Sequence, residues 1–316
     1  MSNNSEHVIV DLSCDPIGIL EYMRPTVGAP KCVLESSAPR GSLIDSPRGV
    51  SREDIEVSLA SKIKEKIRAH HTWLSFLVPT SACLIESCKM PPDAGNVKEW
   101  ARRRVGSKTG MDETSLVVDV HKTQPVSQGI PVVTIIAIKR EDIQPLLRVV
   151  RSLKANLACI MPAIFPRAAL IDSFFPNERI MPWGTLHLWR GWAELSVWWN
   201  GSPLTVKDIS LGPELWSDAR TEVNRGLELG KTLFPKCRDA ACQEPMYGPL
   251  AMPCSIILRG MNAPHPPPPY AVSLISELPT AALDAHGIKV SVNNPAHLST
   301  GIFDGLLGST WLLSRN

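Results

Sequence analysis

A carboxylate stands at the turn between two apolar segments near the N-terminus, in the stretch HVIVDLSCDPIGILEYMRP. The first segment ends at Asp11, a small-residue turn covers 13–16, and the second segment begins at Ile17. Hairpins of this kind can bind phosphate, and Asp11 could hold a Mg²⁺-bound water. However, a phosphate turn uses glycine where its backbone approaches the ligand, and this turn has none. A turn-capping role for Asp11 is the alternative, and both interpretations stay open here.

Three consecutive arginines, 102–104, form the most basic segment of the sequence, together with Lys98 and Lys108. This segment could receive an acidic peptide or anionic lipid headgroups. The alternative is a solvated helix end that needs no partner. Five tryptophans between 183 and 199 pose a similar choice between a partner surface and a thick core.

Motifs of metal sites and of common catalytic centres are absent from the sequence. It shows no Ser-His-Asp, Walker-type or H-E-x-x-H arrangement. Four residues separate Cys83 from Cys88 and Cys237 from Cys242, and no pair of histidines stands beside either. This spacing is looser than the C-x2-C of zinc sites, so we predict free thiols and no metal.

Composition indicates an ordinary soluble protein of 316 residues, with 44% hydrophobic and 20% charged residues. A net charge of +2 gives no reason to expect nucleic acid as a partner. No apolar run approaches the length of a membrane span, and the first residues do not resemble a secretory signal. We therefore expect a cytoplasmic protein.

Hydrophobic periodicity predicts two similar halves. The first opens with a three-strand meander over 7–35 and a helix over 53–68, and the second with a meander over 185–211 and a helix over 213–230. Asn200-Gly201 is a strong hairpin signal in the second meander. Between the halves we predict four strands, 73–78, 82–86, 116–120 and 132–138, and helices at 93–105, 141–154 and 166–173. After 230 we predict strands at 254–258 and 289–292 and helices at 271–285 and 301–314.

This order resembles the actin/Hsp70/hexokinase-like fold, and most closely the PilM type IV pilus assembly proteins and the related cytoplasmic part of GspL. The stretches that carry the resemblance are HVIVDLSCDPIGILEYMRP, WLSFLVPTSACLIESCKMPP, IPVVTIIAIKREDIQPLLRVVRSLKANLACIMP and SVNNPAHLSTGIFDGLLGSTWLL. Together they span almost the whole chain, and their order and spacing are more specific than any single motif.

The resemblance implies an α/β, duplicated actin-like (ribonuclease H-like) fold with an inserted small α+β module. It places the first subdomain at 1–71, the inserted module at 72–155, a return to the first subdomain and a linker at 156–182, and the second actin-like domain at 183–316.

The nucleotide-binding turns of the family depart from its pattern in this sequence. The first turn, D-[IL]-G-[ST] in the family, is Asp11-Leu12-Ser13-Cys14, and the second, D-x-G, is His187-Leu188-Trp189 followed by Arg190-Gly191. The adenosine-side glycine pair is Arg259-Gly260. Arg190 could contact a phosphate or be a surface hairpin arginine. The degenerate nucleotide site implied by the resemblance comprises Asp11, Ser13, Cys14, His187, Arg190, Gly191 and Gly260.

The function that the resemblance implies is a non-enzymatic scaffold, peripheral to the inner membrane, of a type IV pilus or type II secretion-like machine. It would bind the cytoplasmic tail of a PilN-like membrane protein, in a groove between the first subdomain and the inserted module. The resemblance also allows a homo-oligomer. We expect the partner-binding residues to be Trp100, Arg102, Arg103 and Arg104. The alternatives are an ATP- and Mg²⁺-binding ATPase or kinase of the same superfamily and an FtsA-like filament protein.

Overall fold

The computed structural model describes residues 5–13, 17–24, 31–36, 52–67, 72–123, 132–174, 183–189, 192–199, 201–210, 256–260, 272–274 and 289–292, together with 309 and 312. The helix expected at 213–230 lies outside these residues, as do Cys14, Arg190 and Gly191. Of the helix expected at 301–314, Ser309 and Leu312 are described, and both are helical.

The elements follow the expected order along most of the chain. The described strands are β1 (Ser5–Asp11), β2 (Gly18–Arg24), β3 (Lys31–Ser36), β4 (Thr72–Val78), β5 (Cys83–Lys89), β6 (Leu116–Thr123), β7 (Val132–Lys139), β8 (Asn156–Pro162), β9 (Trp183–Trp189), β10 (Trp192–Trp199), β11 (Ser202–Ser210), β12 (Ile256–Gly260), β13 (Val272–Leu274) and β14 (Lys289–Val292). The described helices are α1 (Arg52–Lys64), α2 (Val97–Thr109), α3 (Arg140–Leu153) and α4 (Ile164–Phe174).

Strand β1 lies inside the first sheet, whose order is β14-β3-β2-β1-β4-β8. It pairs antiparallel with β2 and parallel with β4. Val8, Ile9 and Val10 are all buried. Because successive residues of a strand face opposite sides of the sheet, both faces are covered along β1. This explains why the sequence of β1 is a continuous apolar run and does not alternate.

The second sheet repeats this connectivity, with the order β11-β10-β9-β12-β13. Strands β9, β10 and β11 form an antiparallel meander, and β12 and β13 extend the sheet in parallel with β9. The order and directions of the second sheet are the same as those of five strands in the first, β3-β2-β1-β4-β8. The duplication expected from the two meanders is therefore confirmed. The hairpin predicted at Asn200-Gly201 is confirmed too, with Trp199 paired to Ser202 and Gly201 at φ 74°.

The third sheet, β5-β7-β6, is covered by α2. Ala101 and Val105 of the helix pack with Leu116, Val133 and Ile135 in one apolar cluster. The helix begins after Asn96, whose side chain accepts hydrogen bonds from the backbone N–H groups of Lys98 and Glu99, and ends before Gly110 at φ 69°. These are the usual start and stop signals of a helix.

The inserted module is shorter than expected. We predicted it over 72–155, but β4 pairs with β1, and α3 packs against α1. The chain divides into two compact units: Met1–Ala82 with Lys139–Phe174 and Glu277–Asn316, and Cys83–Ile138 with Phe175–Ser276. The segment inserted into the first unit therefore begins at Cys83, because the partner of β4 lies in the first sheet.

The C-terminal part of the chain also differs from expectation. The helix predicted at 271–285 begins instead as strand β13, which pairs with β12. The boundary 183–316 is wrong as well, because β14 pairs with β3 in the first sheet. No helix in the described part of the chain is both long and apolar enough to span a membrane.

His7 of β1 is enclosed by two aromatic rings. Its ring stacks on Trp73 with centroids 6.5 Å apart and meets the edge of Tyr22 at 6.3 Å. Its Nδ1 atom is buried and has no hydrogen-bond partner. Burial lowers the pKa of His7 below its ordinary 6.5. The imidazole is therefore held neutral where an unfolded chain would take up a proton.

We predict that the free energy of unfolding falls as the pH is lowered from about 7.5 through 6.5, because the unfolded state then binds the proton of His7 more readily. A phenylalanine at this position keeps the ring contacts and cannot titrate. Urea unfolding as a function of pH should show a shallower slope for His7→Phe than for wild type. The exposed His121→Phe variant is the control, and equal slopes for wild type and His7→Phe would refute the interpretation.

Candidate functional site

The first candidate turn closes on itself through Asp11 and Ser13. Asp11 is 0% exposed, at the carboxyl end of β1. Its Oδ1 atom accepts a hydrogen bond from the backbone N–H of Ser13 at 2.9 Å and another from the Ser13 hydroxyl. This side chain-to-backbone bond across two residues is the geometry of a capped turn.

A buried arginine completes this arrangement. Arg167 of α4 is 1% exposed, and its guanidinium donates to the hydroxyl oxygen of Ser13. The hydroxyl thus accepts from a cation while it donates to a carboxylate. We call Asp11, Ser13 and Arg167 the turn network. It places a positive charge near the buried carboxylate, which offsets the cost of burying that charge.

The sheet topology brings Arg167 to this position. The carboxyl ends of the parallel strands β1, β4 and β8 meet at one edge of the sheet. The ladder continues past the strands, with Leu12 N–H donating to Leu77 at 2.8 Å and Ala163 N–H to Val78 at 3.0 Å. Helix α4 begins directly after Ala163, so its first turn lies at the end of β1.

The turn network leaves Asp11 no exposed surface for a ligand. A carboxylate that orients a metal-bound water must face that water, whereas Asp11 faces Ser13. The sequence left open whether Asp11 holds a Mg²⁺-bound water or caps the turn, and the observed geometry is that of a turn cap. Among the described residues, no group of three His, Cys, Asp or Glu side chains could hold a metal ion.

Sequence reasoning did not identify Arg167. The residue is separated from Ser13 by 154 positions, so no local pattern connects them. One signal was present, since Arg167 is the one charged residue in the apolar stretch IMPAIFPRAAL. A charge among apolar residues at the start of a short helix after a strand is a reasonable candidate for a buried ion pair.

The second candidate turn is not a turn at His187. This residue lies within β9, where it pairs with Glu194 of β10 on one side and Arg259 of β12 on the other. Gly260 pairs with Leu188, so the structure brings His187 and Gly260 onto neighbouring parallel strands. Trp189 pairs with Trp192, which leaves two residues to connect β9 and β10. The expected D-x-G geometry at 187–189 is therefore replaced by paired strand.

The buried face of β10 holds one carboxylate that the sequence did not single out. Glu194, Ser196 and Trp198 are buried and alternate along the strand. The indole N–H of Trp198 donates to the Ser196 hydroxyl at 2.8 Å. Of the choices left open for the tryptophan cluster, Trp198 belongs to the core. The side chains of the other four tryptophans lie outside the description.

Arg104 has a structural partner on the neighbouring strand β5. Its guanidinium donates to Glu86 Oε1 at 2.7 Å, and Lys108 Nζ lies 3.2 Å from Oε2 of the same carboxylate. Burial alone would raise the pKa of Glu86, but the hydrogen bonds and charges of Arg104 and Lys108 outweigh it and leave the pKa below its ordinary value. Arg104 also lies 6.0 Å from the ring centre of Trp100, which packs on the module core.

The three arginines of α2 do not form one cluster. Consecutive residues of a helix point about 100° apart. Arg103 lies 3.5 Å from Glu99 one turn earlier, and its side chain is 62% exposed. In the described part of the chain, Arg102 has no hydrogen bond or ion pair. Arg104 is engaged with Glu86, whereas Arg102 and Arg103 have no partner outside α2 among the described residues. The expectation that the three guanidiniums act together on a partner stays a prediction.

Comparison with known proteins adds a match over the full chain. No protein-family model matches the sequence, and no curated protein matches it either. A solved chain of the "PilM-PilN type IV pilus biogenesis complex" matches at a TM-score of 0.65 and 15% identity, over 99% of both chains. The chain has a PilM-like, actin-like fold. At this identity the match establishes the fold and does not establish an activity.

Two further solved structures match this chain at lower TM-scores. The cytoplasmic domain of EpsL, an inner-membrane component of the type II secretion system of Vibrio cholerae, matches at 11% identity and a TM-score of 0.48, over 98% of this chain and 95% of that one. A protein of unknown function with an actin-like ATPase fold, from Bacteroides thetaiotaomicron, matches at 12% identity and 0.43, over 96% of both chains. Scores below 0.5 do not establish a shared fold.

We predict that the charges of the turn network depend on each other. Arg167→Met should lower the free energy of unfolding by about 3 kcal/mol, because it leaves a buried carboxylate uncompensated. In the double variant with Asp11→Asn, the loss should be smaller than the sum of the two single losses by at least about 1 kcal/mol. Urea unfolding measures all three, with the exposed Arg151→Met as the control. Strict additivity would show that Asp11 and Arg167 are independent.

We also predict unequal costs for two adjacent arginines of α2. Arg104→Gln should lower the free energy of unfolding by about 1 kcal/mol, since its partner Glu86 is largely buried, and Arg103→Gln by less than about 0.5 kcal/mol. Thermal unfolding of both variants, at low and at high salt, measures the two losses of stability. Equal losses would mean that Arg104 is as weakly paired as Arg103.

Proposed function

We propose that this chain is a non-enzymatic cytoplasmic scaffold of a type IV pilus or type II secretion-like inner-membrane platform, which binds the cytoplasmic tail of a PilN-like membrane protein. The observation that carries the proposal is the match in fold, over 99% of both chains, to a structure described as a PilM-PilN complex. A match over the whole length favours the same kind of assembly over a shared domain in an unrelated enzyme.

The turn network supports the absence of ATP hydrolysis. Hydrolysis in this fold needs a carboxylate that faces the phosphates and a backbone that approaches them. Asp11 is fully buried against Ser13, and Trp189 stands where the family has its second glycine. Phosphate binding at Asp11 would require the turn network to open, which would expose a buried arginine together with its partners.

The exposed side of α2 is our candidate for contact with the tail. Arg104 and Trp100 are engaged within the module, so the available charges are Arg102 and Arg103. A tail next to a membrane span lies close to an anionic leaflet, where each basic residue contributes about 1 kcal/mol. The scaffold would then be held at the inner membrane by its partner and by these charges.

We predict that a synthetic peptide of the cytoplasmic tail of the membrane protein encoded beside this chain binds it in a salt-dependent manner. Because exposed charges are screened over about 8 Å at physiological ionic strength, raising the salt should weaken binding. Arg102→Gln/Arg103→Gln should bind several-fold more weakly and with a smaller salt dependence, as measured by fluorescence anisotropy.

Lys139→Gln/Arg151→Gln removes the same charge from two exposed positions, one just before α3 and one in its last turn, and is the control. Binding of the tail should be the same with and without Mg-ATP, and phosphate release should stay at background. Turnover near the common enzyme value of about 10 per second, lost in Asp11→Ala, would refute the scaffold proposal. Flat, superimposable salt curves would instead refute the role of the two arginines.

A further inference from the structure

The first unit carries an open groove between α1 and α3 that none of the turns or partner residues above uses. Its cavity volume is about 710 Å³, within the range of known binding sites. The apolar part is formed by Val57 and Ala60 of α1 and Val149 and Leu153 of α3. Val57 is 70% exposed and is the most exposed of the large hydrophobic side chains described.

A bidentate ion pair holds the two helices in place beside the groove. The Arg148 guanidinium donates to both carboxylate oxygens of Glu56, with Nε 2.9 Å from Oε2. The Glu56 side chain is largely buried, so the pair is better protected from solvent than an ordinary surface pair. The groove is therefore shaped before any ligand binds, which reduces the entropy cost of binding.

The remaining charges of the groove are positive. Lys64, in the last turn of α1, and Lys154, which follows α3, both line it and are exposed. In the described part of the chain, neither lysine side chain forms an ion pair or a hydrogen bond. Since Arg148 is neutralised by Glu56, the groove offers an apolar floor with two uncompensated cations.

We propose that this groove binds an acidic amphipathic helix of a protein partner, at a site separate from the tail-binding residues of α2. Val57 and Lys64 are separated by two turns, about 10 Å along α1. Two turns of an incoming helix would place apolar anchors at i, i+3, i+4 and i+7 over this length, with flanking carboxylates toward the lysines. The proposal does not depend on the scaffold function above.

A membrane surface fits the groove less well than a helix. Lipid headgroups form a broad surface that cannot enter a groove between two helices, whereas a helix with apolar side chains can. The exposed apolar side chain is a single valine, without the aromatic residues that anchor proteins at the membrane interface.

The test uses a fluorescein-labelled helical peptide of about four turns, with leucines at i, i+3, i+4 and i+7 and glutamates elsewhere. Its counterpart has lysine in place of every glutamate. We expect the acidic peptide to bind wild type, and to bind Val57→Asp and Lys64→Glu/Lys154→Glu at least about tenfold more weakly. The charge-reversed variant should prefer the lysine peptide. Lys139→Glu/Arg151→Glu reverses two exposed charges that do not line the groove, so it is the matched control and should bind like wild type.

Because Val57, Lys64 and Lys154 are exposed, we expect the variants to fold like wild type. Unchanged thermal unfolding of each variant checks that weaker binding is not caused by loss of folding. Failure of wild type to bind the acidic peptide, equal binding of both peptides, or unchanged affinity in the variants would overturn the proposal. Two other results would also overturn it, because each would show a different occupant of the groove. One is a dimer of this chain that dissociates in Val57→Asp, as seen by analytical ultracentrifugation. The other is co-sedimentation with phosphatidylglycerol vesicles that the same variant abolishes.

Discussion

The pairing of β1 with β2 on one side and β4 on the other is the constraint on which the first unit depends. It makes β1 an internal strand, so its residues must be apolar on both faces. It also fixes a direction, because β4 and β8 run parallel to β1 and therefore end at the same edge. Helix α4 begins at this edge, and its Arg167 donates to Ser13 beside Asp11. The chemistry of the edge is thus a consequence of strand pairing.

A carboxylate at the end of a buried strand must have a partner, and related folds can supply it from a ligand. Here the protein supplies it from its own chain, through the Ser13 hydroxyl and the Arg167 guanidinium. The same position in the fold can therefore serve stability without serving chemistry. Asp11 therefore has a structural role in a turn that lacks the glycine, because it accepts from the hydroxyl to which the buried arginine donates.

Local sequence patterns were sufficient to predict most helices and strands. They did not predict which strands pair when the partners are far apart in the chain. The Asn200-Gly201 hairpin depends on neighbouring residues and was predicted. The helix expected at 93–105 was found as well, but it begins at Val97 after its Asn96 cap and ends at Thr109. By contrast, β4 and β5 are neighbours in sequence and were assigned to one module, yet they belong to different sheets. Nothing within β4 indicates that its partner is β1, some 65 residues earlier in the chain. Arg167 was missed for the same reason, and β14 was assigned to the wrong half.

The second sheet shows how far topology and chemistry can separate within one chain. It has the strand order and directions of the first, but its first hairpin is connected by two residues, whereas six connect β1 to β2. His187 and Trp189 lie in paired strand, where the backbone groups of β9 are engaged with β10 and β12. A phosphate turn needs free N–H groups, and a paired strand has none to offer. The strand order depends on burial and pairing, and it is therefore compatible with turns that lack the groups that a nucleotide would require.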